Sequence, residues 1–524
     1  MTSFLIKIVS LTLVISCSSV FFKNDQQKNN VPDESSRRNA YEISVNNDLF
    51  IFKSIPSLEL NQKNYLVDLD GDKIDELITL ENSYSKPNIF SLKRDRLVFK
   101  KLKNNSSVHR ASFIKINPTQ SNKKFPVGLF TFFQNDFMPP SSGLIYEVVV
   151  NGEEVSFFKI GSVNEKQKLP LTSVLHFEPT GEKSRKPIGF YFHWLKNIDN
   201  VLTPVIDQYM DGRKLKNLNT QSREQANYGA SLCDVDNDEV LEAVLSSTSN
   251  DSLQYLNFDK KNGFKKEELF TDSNAPKGIF ASCFYEFNKT KKPRYVIGGL
   301  SRDYFKNINI TGVFDHQGKL IYDFKIYGNN DSKNILTLDL NGDIYWDFVI
   351  ENNGHPPHSK LEIFLSDNGK YKKLNGLDII NPSGVVYSDF NNDGKIDLLF
   401  GRSTTRAPYI DRSGGVLING IKPKGRSLRL FFDGHESFKD GEGGIIEVLT
   451  SGGRVKKIIQ YQEGGLPSQS SRFIQFGLGQ FKPLKATLTL GAQKINYNFD
   501  LKREVKEITL CPRGNYKVGN KNCD

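Results

Sequence analysis

The sequence predicts an all-β protein, a seven-bladed β-propeller followed by a small C-terminal β-domain. Three observations predict it. Phe (38), Tyr (20) and Gly (40) are abundant while Met (3) and Trp (2) are scarce, a mixture that suits strands and tight turns. A nonamer rich in side-chain oxygens recurs about every 53 residues, and a turn of Asp/Asn/Gly type falls in the second half of each period. The 524 residues are 38% apolar, which argues against both a disordered chain and a multi-span membrane protein. Lys and Arg number 70 against 60 Asp and Glu, a net charge of +10, but no basic run exceeds two residues and acids are interspersed throughout. That pattern is a solvated surface, and no nucleic-acid partner is expected.

At the N-terminus, Lys7 precedes an apolar stretch over residues 8–15 that is too short to cross a bilayer and has the proportions of a secretory signal. The run Val14-Ile15-Ser16-Cys17 resembles the bacterial lipoprotein signal. The resemblance implies a signal peptide over residues 1–16 and a lipid on Cys17 that ties the chain to a membrane. It also implies the bacterial cell envelope, as an outer-membrane lipoprotein facing the periplasm or the exterior. Residues 17–45 are mostly polar and read as a flexible tether.

Four units of the body, taken as residues 46–422, carry side-chain oxygens at positions 1, 3, 5 and 9. They are Asp68, Asp70, Asp72 and Glu76; Asp234, Asp236, Asp238 and Glu242; Asp339, Asn341, Asp343 and Asp347; and Asp389, Asn391, Asp393 and Asp397. Weaker relatives begin at Asn117, Glu178 and Glu286, which completes seven starts. The turns that follow are Asp95-Arg96, Asn151-Gly152, Asp211-Gly212, Asn262-Gly263, Gln317-Gly318, Asp367-Asn368-Gly369 and Ser413-Gly414-Gly415. Each unit therefore reads as two hairpins, or four strands, the composition of a propeller blade.

A hard cation such as Ca²⁺ takes six to eight oxygens, and a nonamer can wrap it with these side chains plus the carbonyl of position 7. Those carbonyls belong to Ile74, Val240, Tyr345 and Lys395. An EF-hand would need Glu at position 12 between helices, whereas Thr79, Leu245, Ile350 and Phe400 stand there in strand-like surroundings. The Asp389 loop, with Gly394 at position 6, reads as the strongest site, and the Asp234 loop, with Glu239 there, as the one departing most in backbone terms. These loops resemble the FG-GAP/VCBS repeats of integrin α-subunits and secreted bacterial proteins, over roughly residues 45–420. The resemblance implies a propeller with calcium between the first two strands of a blade, where the metal braces the fold.

Residues 423–510 change character: Asp440-Gly-Glu-Gly-Gly444, Gly452-Gly453, Ser468-Gln469 and Phe476-Gly-Leu-Gly479 separate short alternating strands. In that order and spacing they resemble the ASPIC/UnbV domain, which follows FG-GAP-like repeats in cartilage acidic protein and its bacterial relatives. The family's Gly-Ile-Gly-Ala is Gly441-Glu-Gly-Gly444 here, and its Trp-Pro-x-Gly stretch is replaced by Leu490-Gly491. Residues 511–524 read as a tail in which Cys511 and Cys523 are disulfide partners across a short loop. Cys233 and Cys283, at related places in successive repeats, either pair or remain two buried thiols.

The sequence has no G-x-S-x-G, P-loop, H-E-x-x-H or dinucleotide fingerprint. His355-Pro-Pro-His358 reads as a rim loop with two uncoupled histidines. No catalytic residue is assigned. The expected function is a lipid-anchored, calcium-binding scaffold that recognises or adheres to a protein or glycan. A polysaccharide lyase or hydrolase on the same scaffold is the alternative.

Overall fold

The computed structural model describes residues 44–45, 49–55, 61–69, 74–81, 88–93, 96–102, 110–114, 127–131, 143–151, 154–163, 171–177, 188–198, 201–210, 213–219, 230–245, 253–259, 263–270, 280–298, 310–326, 332–352, 360–367, 369–380, 382–402, 414–433, 441–461, 468, 470–501 and 504–523. Cys17, Asp70, Asp72, the repeat starts at Asn117 and Glu178, Gln469 and the pair His355 and His358 lie outside the described residues.

The chain is all-β; a single 3-10 turn at Pro512–Gly514 is the one helical element among the described residues. Strands follow each other as antiparallel four-stranded meanders. In chain order the first strands of these sheets are Asn61–Val67, Arg110–Ile114, Leu171–Phe177, Ala230–Cys233, Phe280–Glu286, Ser332–Leu338 and Pro382–Ser388. The first two sheets are joined edge to edge by a short parallel pairing of Glu154 and Val155 with Lys101 and Leu102. From Asn61–Val67 to Ser332–Leu338 the first strands lie against one another in order. Pro382–Ser388 then lies beside Asp347–Asn352 on one side and back against Asn61–Val67 on the other, so the series closes on itself.

Sheets packed on both faces should lose the alternation of a half-exposed strand. They do: Asp347–Asn352 and Pro382–Ser388 are buried at every position, whereas the outer strand Lys370–Lys373 buries Tyr371 alone. Between the fifth and sixth sheets Phe284, Phe324, Phe348, Phe364 and Tyr371 pack with ring centroids 4.4 to 5.5 Å apart. Leu66, Leu77 and Phe90 pack against Val386, Leu399 and Val416 where the last sheet meets the first.

Two expectations about the repeats fail. The Ser413-Gly414-Gly415 turn does not exist as read, because Gly414–Asn419 is a strand. Its outer partner comes from the other end of the body: Phe50–Ile55 pairs antiparallel with it, Phe50 opposite Asn419 and Ile55 opposite Gly414. Gly415 has no Cβ because one would overlap the Phe52 ring and the Lys53 carbonyl. The unit beginning at Glu286 does join the first strand of its sheet to the second, as the spacing predicts, but as a tight turn and not a loop of nine residues. Glu286 pairs with Lys289 across a tight turn in which Asn288 takes φ 61°, so Glu286, Asn288 and Thr290 cannot wrap an ion.

The C-terminal region is a sandwich of two four-stranded sheets. One is ordered Ile474–Gly479, Arg426–Phe432, Glu507–Leu510, Tyr516–Val518, and the other Arg454–Ile458, Ile445–Thr450, Pro483–Leu490, Gln493–Asn498. Leu428, Leu430, Phe476 and Ile508 from the first share a core with Val448, Ala486, Leu488 and Tyr497 from the second. Residues after Leu510 are not a tail: Tyr516–Val518 completes a sheet, and the Cys511–Cys523 bond holds it there. Ser44–Val45, read as tether, pairs with Leu377–Asp378. Cys233 and Cys283 are bonded, joining the first strands of two neighbouring sheets.

Candidate functional site

All four carboxylate nonamers connect the first strand of a sheet to its second. Position 9 opens the second strand and is buried in each: Glu76, Glu242, Asp347 and Asp397. Each reaches back across its loop to accept a hydrogen bond from the backbone N–H of position 2. The distances are 2.9 Å from Leu69, 2.7 Å from Val235, 2.8 Å from Leu340 and 2.9 Å from Phe390. Asp347 and Asp397 also accept from the next strands, from Ser366 N and Asn419 N, both at 2.7 Å. Position 9 thus closes the loop and ties it into the sheet.

The three fully described loops share one backbone path. Positions 4 and 6 are left-handed in every case: Asn237 and Glu239, Gly342 and Ile344, Asn392 and Gly394. That path aims the N–H of position 6 at the position-1 carboxylate (Glu239 to Asp234, Ile344 to Asp339, Gly394 to Asp389) at 2.9 to 3.2 Å. The N–H of position 7 meets the position-5 carboxylate (Val240 to Asp238, Tyr345 to Asp343, Lys395 to Asp393) at 2.8 to 3.1 Å. The Asn or Gly at position 4 is a signal present in the sequence that a ligand count overlooks.

The loops differ in how well they suit a divalent ion. Asp234, Asp236 and Asp238 bring carboxylate oxygens within 4.8 Å of one another, the sole such cluster among the described residues. Oxygens 2.3–2.6 Å from one Ca²⁺ would lie within about that span of each other, so this donor set fits. A basic side chain binds one carboxylate of each of the three fully described loops: Lys456 takes Asp234 and Lys424 takes Asp343, both at 3.0 Å, and Arg429 takes Asp389. Glu239 at position 6 costs the Asp234 loop nothing in shape, and the β-branched Ile344 is the larger departure.

Burial governs the electrostatics. It pushes the Glu242 carboxyl up to about 9, helped by the charges of Asp236, Asp238 and Asp234, and opposed by the Val235 hydrogen bond. Burial lifts Asp397 to about 7, with Asp389 and Asp393 adding to it. Asp339 and Asp347 are raised by burial and by the neighbouring charges of their own loop. Crowded carboxylates of this kind ask for a counter-cation.

Part of that cation comes from the C-terminal sandwich, which sits on the loops. Lys456 Nζ lies 3.0 Å from Asp234 Oδ2 and 4.1 Å from the centre of the Tyr285 ring, whose hydroxyl donates to the same carboxylate at 3.3 Å. Arg429 bonds Asp389 and Glu507 while stacking 5.0 Å over Phe473. Lys457 donates to the Thr337 carbonyl at 3.0 Å, and Gln460 Oε1 accepts from Leu232 N at 2.8 Å. Ser468 and Ser470 hydroxyls accept from Asn64 N and Tyr387 N at 3.4 and 3.2 Å. One segment of the sandwich thus touches the first strands of several sheets. Its glycines are where contact is closest: a Cβ on Gly477 would overlap the Asp339 carboxylate, and one on Gly453 the Asn288 amide. Lys456, Lys457 and Arg429 carried no sequence signal beyond basic residues in short strands.

No family model matches the chain, and no curated protein matches it. Among solved structures it is similar to the alpha-L-arabinanase of Penicillium chrysogenum, at TM-score 0.37 and 12% identity over 72% of this chain and 98% of that one. It is also similar to the exotype rhamnogalacturonan lyase YesX, at TM-score 0.41 and 12% identity over 84% and 83%. The V. cholerae biofilm matrix protein Bap1 gives TM-score 0.35 and 12% identity over 76% and 60%. Likeness at this level assigns the chain to none of those families, and its architecture rests on its own strand order.

Proposed function

We propose that the sheets are the seven blades of a calcium-braced propeller of FG-GAP/VCBS type, capped by an ASPIC/UnbV-like sandwich and held to an envelope membrane through lipidated Cys17. The assembly serves as a recognition or adhesion scaffold for a protein or glycan. The observation that carries this reading is the shared hydrogen-bond pattern of the nonamers, position 9 to the N–H of position 2, at the same place in four sheets. Asp234 and Asp389 bind cations of the sandwich, as Asp343 binds Lys424, which supports bracing over catalysis for these loops. In the Asp234 loop, Asp234, Asp236, Asp238 and Glu242, with the Val240 carbonyl, would hold Ca²⁺, which there supplies charge neutralisation and rigidity.

The test is a thermal melt of residues 18–524 in millimolar calcium and in excess chelator. Ion binding to the folded state raises the midpoint with calcium concentration. An unchanged midpoint overturns the bracing role. In cells, Cys17→Ser moves the protein from the membrane to the soluble fraction if the lipid holds it there.

A further inference from the structure

A groove of about 860 Å³ runs between the turn at residues 287–288, the turn at residues 315–318 and the sandwich hairpin at residues 450–453. It lies away from the carboxylate loops, between two modules, where ligand sites concentrate, and its volume is within the range of small-ligand sites. Its charge is one-sided. Lys289, Lys291, Lys292, Arg294 and Arg454 line it against the carboxylates of Glu286 and Asp315.

Those two acids are already engaged. Glu286 takes Lys289 at 3.0 Å on one oxygen and Arg294 on the other. Asp315 Oδ1 accepts from Gln317 N and Lys319 N, both at 2.9 Å, to close its own turn. Lys292 Nζ points not at an acid but at His316 Nε2, 3.0 Å away. Lys291 is exposed, with no ion pair among the described residues. Arg454 pairs with Glu447 at 3.1 Å, and the neighbouring ammonium groups of Lys291 and Lys292 have no anion among the described residues. The walls are preformed: Asn288 Oδ1 accepts from Arg454 N at 2.9 Å and its amide donates to Gly452 O at 3.4 Å, which staples one module to the other across the groove.

From this we infer that the groove binds an anionic oligosaccharide, one bearing carboxylate or sulfate groups. Confined cations focus a positive potential and raise the local concentration of an anion. Leu449 and the lysine stems offer apolar surface to sugar faces. No Phe, Tyr or Trp lines the groove among the described residues, so base stacking, which holds single-stranded nucleic acid, has only the His316 imidazole there.

The inference deepens the recognition-scaffold reading and rests on it. The test measures binding of residues 18–524 to oligogalacturonate, a sulfated oligosaccharide, a neutral maltooligosaccharide and single-stranded DNA of matched length. It is repeated with Lys291→Glu/Lys292→Glu, whose melt should match the parent because both side chains are at the surface. We expect one or both anionic sugars to bind in a salt-dependent manner, the neutral sugar not to bind, and the double variant to lose about tenfold or more in affinity. The two anionic arms separate carboxylate from sulfate recognition. Binding that survives the double reversal, or DNA binding as tight as the sugars, overturns the site and leaves the scaffold reading standing. Failure of every sugar to bind the parent also overturns the site, while the scaffold's bracing is judged separately by its calcium-dependent melt.

Discussion

Lys456 and Asp234, 222 residues apart in the chain, meet as a buried ion pair at 3.0 Å, with 7% and 0% of their side chains exposed. The pair joins the sandwich to a loop that also holds Asp236, Asp238 and Glu242, so it neutralises one charge of a crowded set.

Removing the ammonium leaves the buried Asp234 carboxylate with hydrogen bonds from the Tyr285 hydroxyl and Glu239 N but without its counter-charge. Lys456→Met should therefore lower unfolding free energy by about 3–5 kcal/mol in chelator. Calcium should restore part of that loss, because the ion can take over the neutralisation. Denaturant titration of parent and variant, with and without calcium, checks both expectations; an equal loss in the two buffers would separate the pair from the metal.

The raised carboxyls of Glu242 and Asp397 set a direction for pH. Between the ordinary values of 4.5 for Glu242 and 3.8 for Asp397 and their folded values of about 9 and about 7, the folded state holds protons that the unfolded chain has released. Stability in chelator should thus be greatest near pH 5 and fall as pH rises toward 9. With calcium bound the carboxylates are neutralised by the ion, and the slope should flatten. Melts at pH 5, 7 and 9 in both buffers show it.

Position 6 allows a comparison of opposite signs. Glu239 is left-handed and exposed, so Glu239→Gly removes a backbone penalty of about 1 kcal/mol at the cost of a surface ion pair to Lys494 that contributes little. It should leave stability unchanged or raise it by up to about 1 kcal/mol. Ile344 is equally left-handed but buried in the core shared with the sandwich. Losing its burial, about 1.5–3 kcal/mol, outweighs the backbone gain, and Ile344→Gly should destabilise. Matching effects in the two variants would contradict this account.

Gly477→Ala pushes a methyl group into the Asp339 carboxylate. Relief requires the sandwich to shift off its loop, which should cost about 1–3 kcal/mol. Faster proteolysis of the connection between Asn419 and Arg426 in the folded variant would report the loosening.

Much of this was legible in local text. Carboxylates at positions 1, 3, 5 and 9 and Gly-containing turns are short-range patterns, and the nonamers do join first to second strands. The strand Gly414–Asn419 was misread because two adjacent glycines signal a turn equally well whether they bend the chain or admit a neighbouring backbone. Glu286 and Asn288 matched the repeat spacing by composition, yet a two-residue turn satisfied the same polar residues. Lys456, Arg429 and Gln460 left no trace, since a partner many residues away imposes no periodicity on its own strand. The basic partners of the loops, Lys456, Lys424 and Arg429, come from outside the nonamers they bind.

The pairing of Phe50–Ile55 with Gly414–Asn419 makes the beginning of the body wait for its end. A ribosome must deliver more than three hundred residues before the last ladder has a mate, and such distant pairing is intrinsically slow. Until then Phe50–Ile55 has no ladder to join. Trimming the body's first strand would leave Gly414–Asn419 with a bare, adhesive border of the sort that recruits foreign chains.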